Sequence, residues 1–127
     1  MVIHESAEDY LETILKLHRR TGAVRSIDIV NELGYSKPSV SVAMKKLRES
    51  GHITMDEAGF ITLTPLGTEA ANRVYTRHRI LTRFLVSLGV SEEVASEDAC
   101  RIEHHISDES FEAIKRHSEQ FVSVLKQ

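Results

Sequence analysis

Between Ser26 and Thr64 the sequence sets out a short helical repeat, a glycine turn, a second helical segment and a run of alternating threonines and aliphatics. That order leaves few folds open. Ile27, Val30 and Leu33 recur every three residues, Ser26 is placed to cap the helix and Gly34 to end it. Ser36 is placed to cap the next helix. Pro38 falls in its first turn, where a missing amide costs nothing, and Gly51 stops it after about Ser50. Val40, Ala43, Met44 and Leu47 make one stripe of that helix, and Lys37, Ser41, Lys45 and Arg48 make the opposite, basic one. Ile53, Met55, Ile61 and Leu63 then alternate with Thr54, Thr62 and Thr64 around Asp56-Glu57-Ala58-Gly59, which predicts a β-hairpin. Two short helices followed by a hairpin make a winged helix-turn-helix.

The rest of the chain reads as helix. Residues 5 to 20 place Leu11, Ile14, Leu15 and His18 near one face and Glu5, Glu8, Asp9, Glu12 and Lys16 on the other, and Thr21-Gly22 ends the run. Thr64-Pro65 opens a long helix that reaches about Leu88, with Val74, His78, Leu81 and Leu85 on one stripe. A fifth helix is expected over Ser91 to Ile106, with Ala95, Ala99, Ile102 and Ile106 inward. A sixth follows Ser107, its apolar face built from Phe111, Ile114, Phe121 and Val124 or Leu125 and suited to packing or dimerisation. The expected architecture is mainly α, with an N-terminal winged helix-turn-helix over residues 1–64 and a C-terminal helical domain over 65–127. No low-complexity linker separates them.

Composition bounds the partners. The 127 residues are 41% hydrophobic, enough for one ordinary core or for two small helical domains. No apolar run approaches the roughly 20 residues needed to span a bilayer, and the N-terminus lacks a signal-peptide layout, so a cytoplasmic protein with no membrane partner is expected. The overall charge of −3 argues against indiscriminate coating of nucleic acid. Lys16, Arg19, Arg20, Arg25, Lys37, Lys45, Lys46 and Arg48 nevertheless face only Asp28 and Glu32 in their stretch, a local +6 on an acidic molecule.

A second constellation lies near the C-terminus. In a helix, Cys100, Glu103 and His104 stand at i, i+3 and i+4, so a thiol, a carboxylate and an imidazole point the same way. A single cysteine forms no internal disulfide, which leaves Cys100 as a core thiol, a reactive thiol or a metal ligand. Asp9 and Glu12, at i, i+3, put two carboxylates on one helix face; acids near a helix N-terminus are also favoured by the dipole alone. His78 sits among apolar positions, where it is either a core histidine or a ligand. A mixed O, N and S set suits Fe²⁺, Mn²⁺, Co²⁺ or Zn²⁺ better than Ca²⁺ or Mg²⁺, which take oxygen shells.

Glu-Asp-Tyr-Leu-Glu at 8–12, Ser-Lys-Pro-Ser-Val-Ser at 36–41, Leu-Thr-Pro-Leu-Gly at 63–67, Arg-His-Arg-Ile-Leu at 77–81 and Ala-Cys-Arg-Ile-Glu-His-His-Ile-Ser at 99–107 occur in this order. In that succession the chain resembles the diphtheria-toxin-repressor family of metal-dependent bacterial regulators, in a short form without an SH3-like domain. The resemblance implies a DNA-binding winged helix, a helical dimerisation domain, and metal ligands at Asp9, Glu12, His78, Cys100, Glu103 and His104. The Asp9 and Glu12 pair looks like the manganese-responsive branch, and Cys100 like the iron-responsive one.

The function expected is a metal-activated homodimeric repressor that binds double-stranded DNA at a palindromic operator to control metal homeostasis. A thiolate favours Fe²⁺ as its cofactor, with Mn²⁺ next and Zn²⁺ or Co²⁺ able to bind in vitro. Arg25, Lys45 and Lys46 are expected at phosphates, and Ser36, Lys37, Pro38, Ser39 and Ser41 at the helix start nearest the bases. The rival expectation is a metal-independent winged-helix regulator that answers an organic ligand or thiol oxidation at Cys100. An enzyme is not expected, since no glycine-rich oxyanion loop or spare carboxylate accompanies the ligands.

Overall fold

The computed structural model describes residues 5–126, with side chains from 7 to 119. Glu5, Phe121, Val124 and Leu125, assigned to helix faces above, have side chains outside the described residues. The elements are α1 (Glu5–Thr21), α2 (Ser26–Leu33), α3 (Lys37–Glu49), β1 (Ile53–Met55), β2 (Ile61–Leu63), α4 (Pro65–Ser87), α5 (Glu92–Ile102) and α6 (Asp108–Lys126). They form two compact units, Met1–Arg73 and Val74–Gln127, the first taking the start of α4 and the second its remainder.

The core of the first unit gathers Leu11, Ile14, Leu15 and Leu17 of α1, Ile29 of α2, Val40, Met44 and Leu47 of α3, and Ile53 and Ile61 of the hairpin. Two expectations about α1 fail. His18 is exposed, and Glu12, placed on the wet face above, is only 6% exposed. Burial covers more of the helix circumference than one apolar stripe, since Tyr10, Thr13 and Leu17 are also buried.

Ser26 is not the cap of α2. The cap is Arg25, whose backbone N–H donates to Asp28 Oδ2 at 2.9 Å, so Asp28 reaches back over the first turn and Ser26 is already helical. Gly34 ends α2 with φ 72°, a left-handed conformation that glycine adopts at no steric cost. Ser36 caps α3 as expected and accepts from the Ser39 N–H at 3.2 Å.

The hairpin pairs Ile53 with Leu63, Thr54 with Thr62 and Met55 with Ile61. Ile53 and Ile61 are buried and both threonines exposed, as the alternation requires. Asp56 closes the turn: its carbonyl accepts from the Gly59 N–H at 3.0 Å and its side chain from the Phe60 N–H at 2.9 Å. The Ile61 N–H donates to the Val24 carbonyl at 2.7 Å, so the backbone leading into α2 is bonded to the outer edge of the wing.

The base of the wing is tied to α4 through the Thr-Pro-Leu-Gly segment. Thr64 Oγ1 donates to the Gly51 carbonyl at 2.6 Å and accepts from the Gly67 N–H at 3.1 Å, which caps the helix. Gly67 then passes so close to the hairpin that a Cβ there would lie 1.9 Å from the His52 carbonyl oxygen. That oxygen already accepts from the Thr64 N–H at 3.1 Å and cannot retreat.

In the second unit Leu81, Ala99 and Phe111 form the core, with Ile80, Ile102, Ile106 and Ile114 packed against it. Helix α5 is shorter than expected. It ends at Ile102, and residues 103–105 form a turn in which the His105 N–H donates back to the Ile102 carbonyl at 2.9 Å. Arg77 Nη1 donates to the Glu103 and Ile106 carbonyls at 3.3 and 3.4 Å and thereby satisfies groups that a longer helix would have paired. Ser107 Oγ accepts from the Ser110 N–H at 3.1 Å and starts α6.

Gly67→Ala should destabilise the first unit by about 3 kcal/mol, because backbone rather than a flexible side chain must move. Urea unfolding checks this; an unchanged midpoint would mean that the wing base yields freely.

Candidate metal centre and nucleic-acid interface

In the second unit α4, α5 and the turn after α5 bring an imidazole, a thiol and a carboxylate together. One ligand atom from each of His78, Cys100 and Glu103 lies within 4.8 Å of the others. His78 Nδ1 is 3.0 Å from Glu103 Oε2 and 3.7 Å from Cys100 Sγ. The other carboxylate oxygen, Glu103 Oε1, lies 3.3 Å from His104 Nε2. At that approach the two atoms are not aligned for hydrogen bonding, and Oε1 accepts no hydrogen bond among the described residues.

Helical spacing points Cys100 and Glu103 the same way, but Glu103 is only 2% exposed, whereas Cys100 is exposed. A carboxylate this deep needs cationic compensation. His78 supplies it here. Its pKa is pushed up to about 10, first by its hydrogen bond to Cys100 and then by that to Glu103, against a smaller opposing effect of burial. A buried acceptor oxygen without a hydrogen bond, flanked by a second imidazole and an accessible thiol, fits a divalent transition ion better than it fits a proton.

The turn that carries Glu103 and His104 is held by Arg77. Besides its two backbone carbonyls, this guanidinium is paired with Asp108 and lies 5.0 Å over the Phe111 ring. A guanidinium that bonds main-chain carbonyls leaves no signature in residue spacing, so this role of Arg77 is legible only in the fold.

Asp9 and Glu12 stand on α1 in the first unit. Asp9 is half-buried and Glu12 buried, with Glu12 Oε1 3.6 Å from Lys16 Nζ.

Arg25, Ser36, Lys37, Pro38, Ser39, Ser41, Lys45 and Lys46 are all exposed in the first unit. Ser36 and Ser39 are also joined through their hydroxyls at 2.9 Å, so the start of α3 is ordered before it meets any partner. Arg25 is engaged with the wing. Its guanidinium donates to the Ala58 carbonyl and stacks 4.5 Å over the Phe60 ring. Of the basic stretch, Arg20 is paired with Glu32 at 3.0 Å. Val42, one turn beyond Pro38, is 54% exposed on α3 and belongs to the same surface. Spacing could have found it, since i+4 from Pro38 shares its face, but an aliphatic side chain gives no polar signal.

A divalent ion that binds Nδ1 displaces the His78 proton, so ion affinity should rise with pH up to about 10, where the folded protein gives up that proton unaided. In the metal-free protein the sign is the reverse. The raised pKa stabilises the fold fully below the unfolded value of 6.5, and that contribution is lost as pH rises through about 10. Calorimetric titration in buffers of differing ionisation enthalpy should show proton release, and His78→Ala should lower the count by one per ion. An unchanged count would exclude His78 from the ligand set.

Comparison with known proteins assigns the chain. Residues 3–59 match the family model of the iron dependent repressor N-terminal DNA binding domain, and residues 64–123 that of the iron dependent repressor metal binding and dimerisation domain. The transcriptional regulator MntR of Escherichia coli is 39% identical over 111 residues, 87% of this chain and 72% of that protein. A manganese-dependent transcriptional repressor solved in complex with manganese superposes with a TM-score of 0.82 at 30% identity, covering 89% of this chain and 52% of its own. IdeR of T. acidophilum gives 0.75 at 33% identity, covering 90% and 53%. The chain thus spans about half the length of these solved structures. With a winged helix-turn-helix followed by a helical metal-binding and dimerisation domain, the chain belongs to the iron-dependent repressor family, the diphtheria-toxin-repressor family of metal-dependent transcriptional regulators.

Proposed function

We propose that this protein is a metal-activated, homodimeric repressor that binds a palindromic operator and controls metal-ion homeostasis. The carrying observation is the buried Glu103 carboxylate set between His78 Nδ1 and His104 Nε2 beside the Cys100 thiol. His78, Cys100, Glu103 and His104 would hold the ion. Asp9 and Glu12 complete the proposed set on the strength of the motif at 8–12. When bound, the ion supplies the positive charge that Glu103 otherwise draws from the His78 proton.

Residues 1–64 are proposed as the DNA-binding domain and 65–127 as the metal and dimerisation domain. Lys45, Lys46 and Arg25 would meet phosphates, while Ser36, Lys37, Pro38, Ser39 and Ser41 enter the major groove with the start of α3. The start of α3, residues 36–42, carries no Arg, Asn or Gln, so direct readout is modest and Val42 and Pro38 suit thymine methyls. Exposed Val86, Leu88 and Val94 offer apolar surface in the second unit for a second copy. The ion is then a ligand with higher affinity for the DNA-competent state, and DNA must tighten ion binding equally.

Fe²⁺ is the proposed physiological ion and Mn²⁺ the second candidate. The Cys100 sulfur is softer than the carboxylates and favours Fe²⁺, whereas likeness to the manganese-dependent repressor named above supports Mn²⁺. Among the described residues no helix is long and apolar enough to cross a membrane, in keeping with the proposed cytoplasmic setting.

The test is anaerobic fluorescence anisotropy on a duplex selected from random sequences in the presence of metal. Fe²⁺ or Mn²⁺ should tighten binding by roughly 5–150-fold over chelator. Equal binding in chelator would overturn metal gating. Cys100→Glu should shift activation toward Mn²⁺, and an unshifted preference would remove the thiol as its determinant.

A further inference from the structure

His78 is held at both ring nitrogens, and only one of these contacts belongs to the ligand set. Nδ1 faces Glu103 Oε2 at 3.0 Å and Cys100 Sγ at 3.7 Å, while Nε2 lies 3.3 Å from Ser96 Oγ. Ser96 and Cys100 are i, i+4 on α5, so hydroxyl and thiol share one face and meet the two edges of the same imidazole.

An imidazole is nearly symmetric in shape. A half-turn about Cβ–Cγ exchanges Nδ1 with a ring carbon at little packing cost, so apolar contacts do not choose between the two orientations. A hydroxyl chooses. Ser96 bonds to a ring nitrogen only when Nε2 is turned toward it, and that orientation is the one that presents Nδ1 to Cys100 and Glu103.

We propose that Ser96 is a positioning residue of the metal centre, which fixes the His78 ring so that Nδ1 is the ligand atom. The proposal rests on the metal-centre reading above. With an ion on Nδ1, Nε2 keeps its proton and donates to Ser96 Oγ. The hydroxyl orients the ligand from its far side and need not touch the ion. Half-buried, Ser96 is close enough to the core for this bond to be shielded from water.

The test uses the full chain and Co²⁺ alone, with affinity from chelator competition and ligand geometry from the visible absorption spectrum. Ser96→Ala should weaken Co²⁺ binding by about 10-fold or more and alter the spectrum. Ser96→Thr, which keeps the hydroxyl, should restore both. In a His78→Ala background, Ser96→Ala should have no further effect, since Ser96 acts through that ring. Wild-type affinity and spectrum in Ser96→Ala, or an undiminished effect without His78, would overturn the positioning role. Failure of the wild-type chain to take up Co²⁺ would overturn the metal-centre reading and this proposal with it, an outcome distinct from normal uptake with an indifferent Ser96.

Discussion

A carboxylate that has been taken out of water governs the second unit. Glu103 must be matched by positive charge, which the protonated His78 on α4 supplies, while the His104 ring on the turn after α5 lies against the other carboxylate oxygen. Holding a charge in such a place needs a rigid frame. Arg77 supplies it by bonding the backbone of the turn itself and stacking over Phe111. The proton affinity of His78 is raised first by its hydrogen bond to Cys100 and then by that to Glu103, so the protonated ring does here what a divalent cation does with more charge.

The first unit is governed by close approach of backbones. Gly67 lies against the His52 carbonyl, Thr64 ties the same place to Gly51, and Val24 pairs with Ile61 at the other edge of the hairpin. A two-stranded hairpin is marginal by itself in water. Here it is fixed at its base by α4, at its edge by the strand-like entry to α2, and at its tip by Arg25 over Phe60. A wing held in this way keeps Arg25 and the start of α3 in constant geometry, which lowers the ordering cost of binding a duplex.

Much of the winged helix was legible from residue order, because each of its signals acts within four residues. Ser36 caps α3 through the Ser39 amide, Gly34 takes up a positive φ, and Ile-Thr alternation places Ile53 and Ile61 inward. The same local logic failed where two candidate groups competed. Asp28 bonds back to Arg25 and displaces Ser26 from the cap, and the Arg77 guanidinium takes carbonyls that would have extended α5. Around the candidate centre, spacing brought Cys100, Glu103 and His104 to one stripe, but not Ser96, whose relevance comes only from the His78 ring opposite it.

From the sequence alone came the winged helix-turn-helix, the basic outer face of α3, the helical second half and the residue types of a mixed transition-metal site. These depend on backbone hydrogen bonding and side-chain periodicity within one or two turns. Tertiary structure alone decided that Glu103 is buried and Cys100 open, that Glu12 is buried and His18 wet, and that His78 turns Nδ1 toward the thiol. Those outcomes depend on which groups from distant parts of the chain exclude water from a side chain, and helical spacing does not encode that.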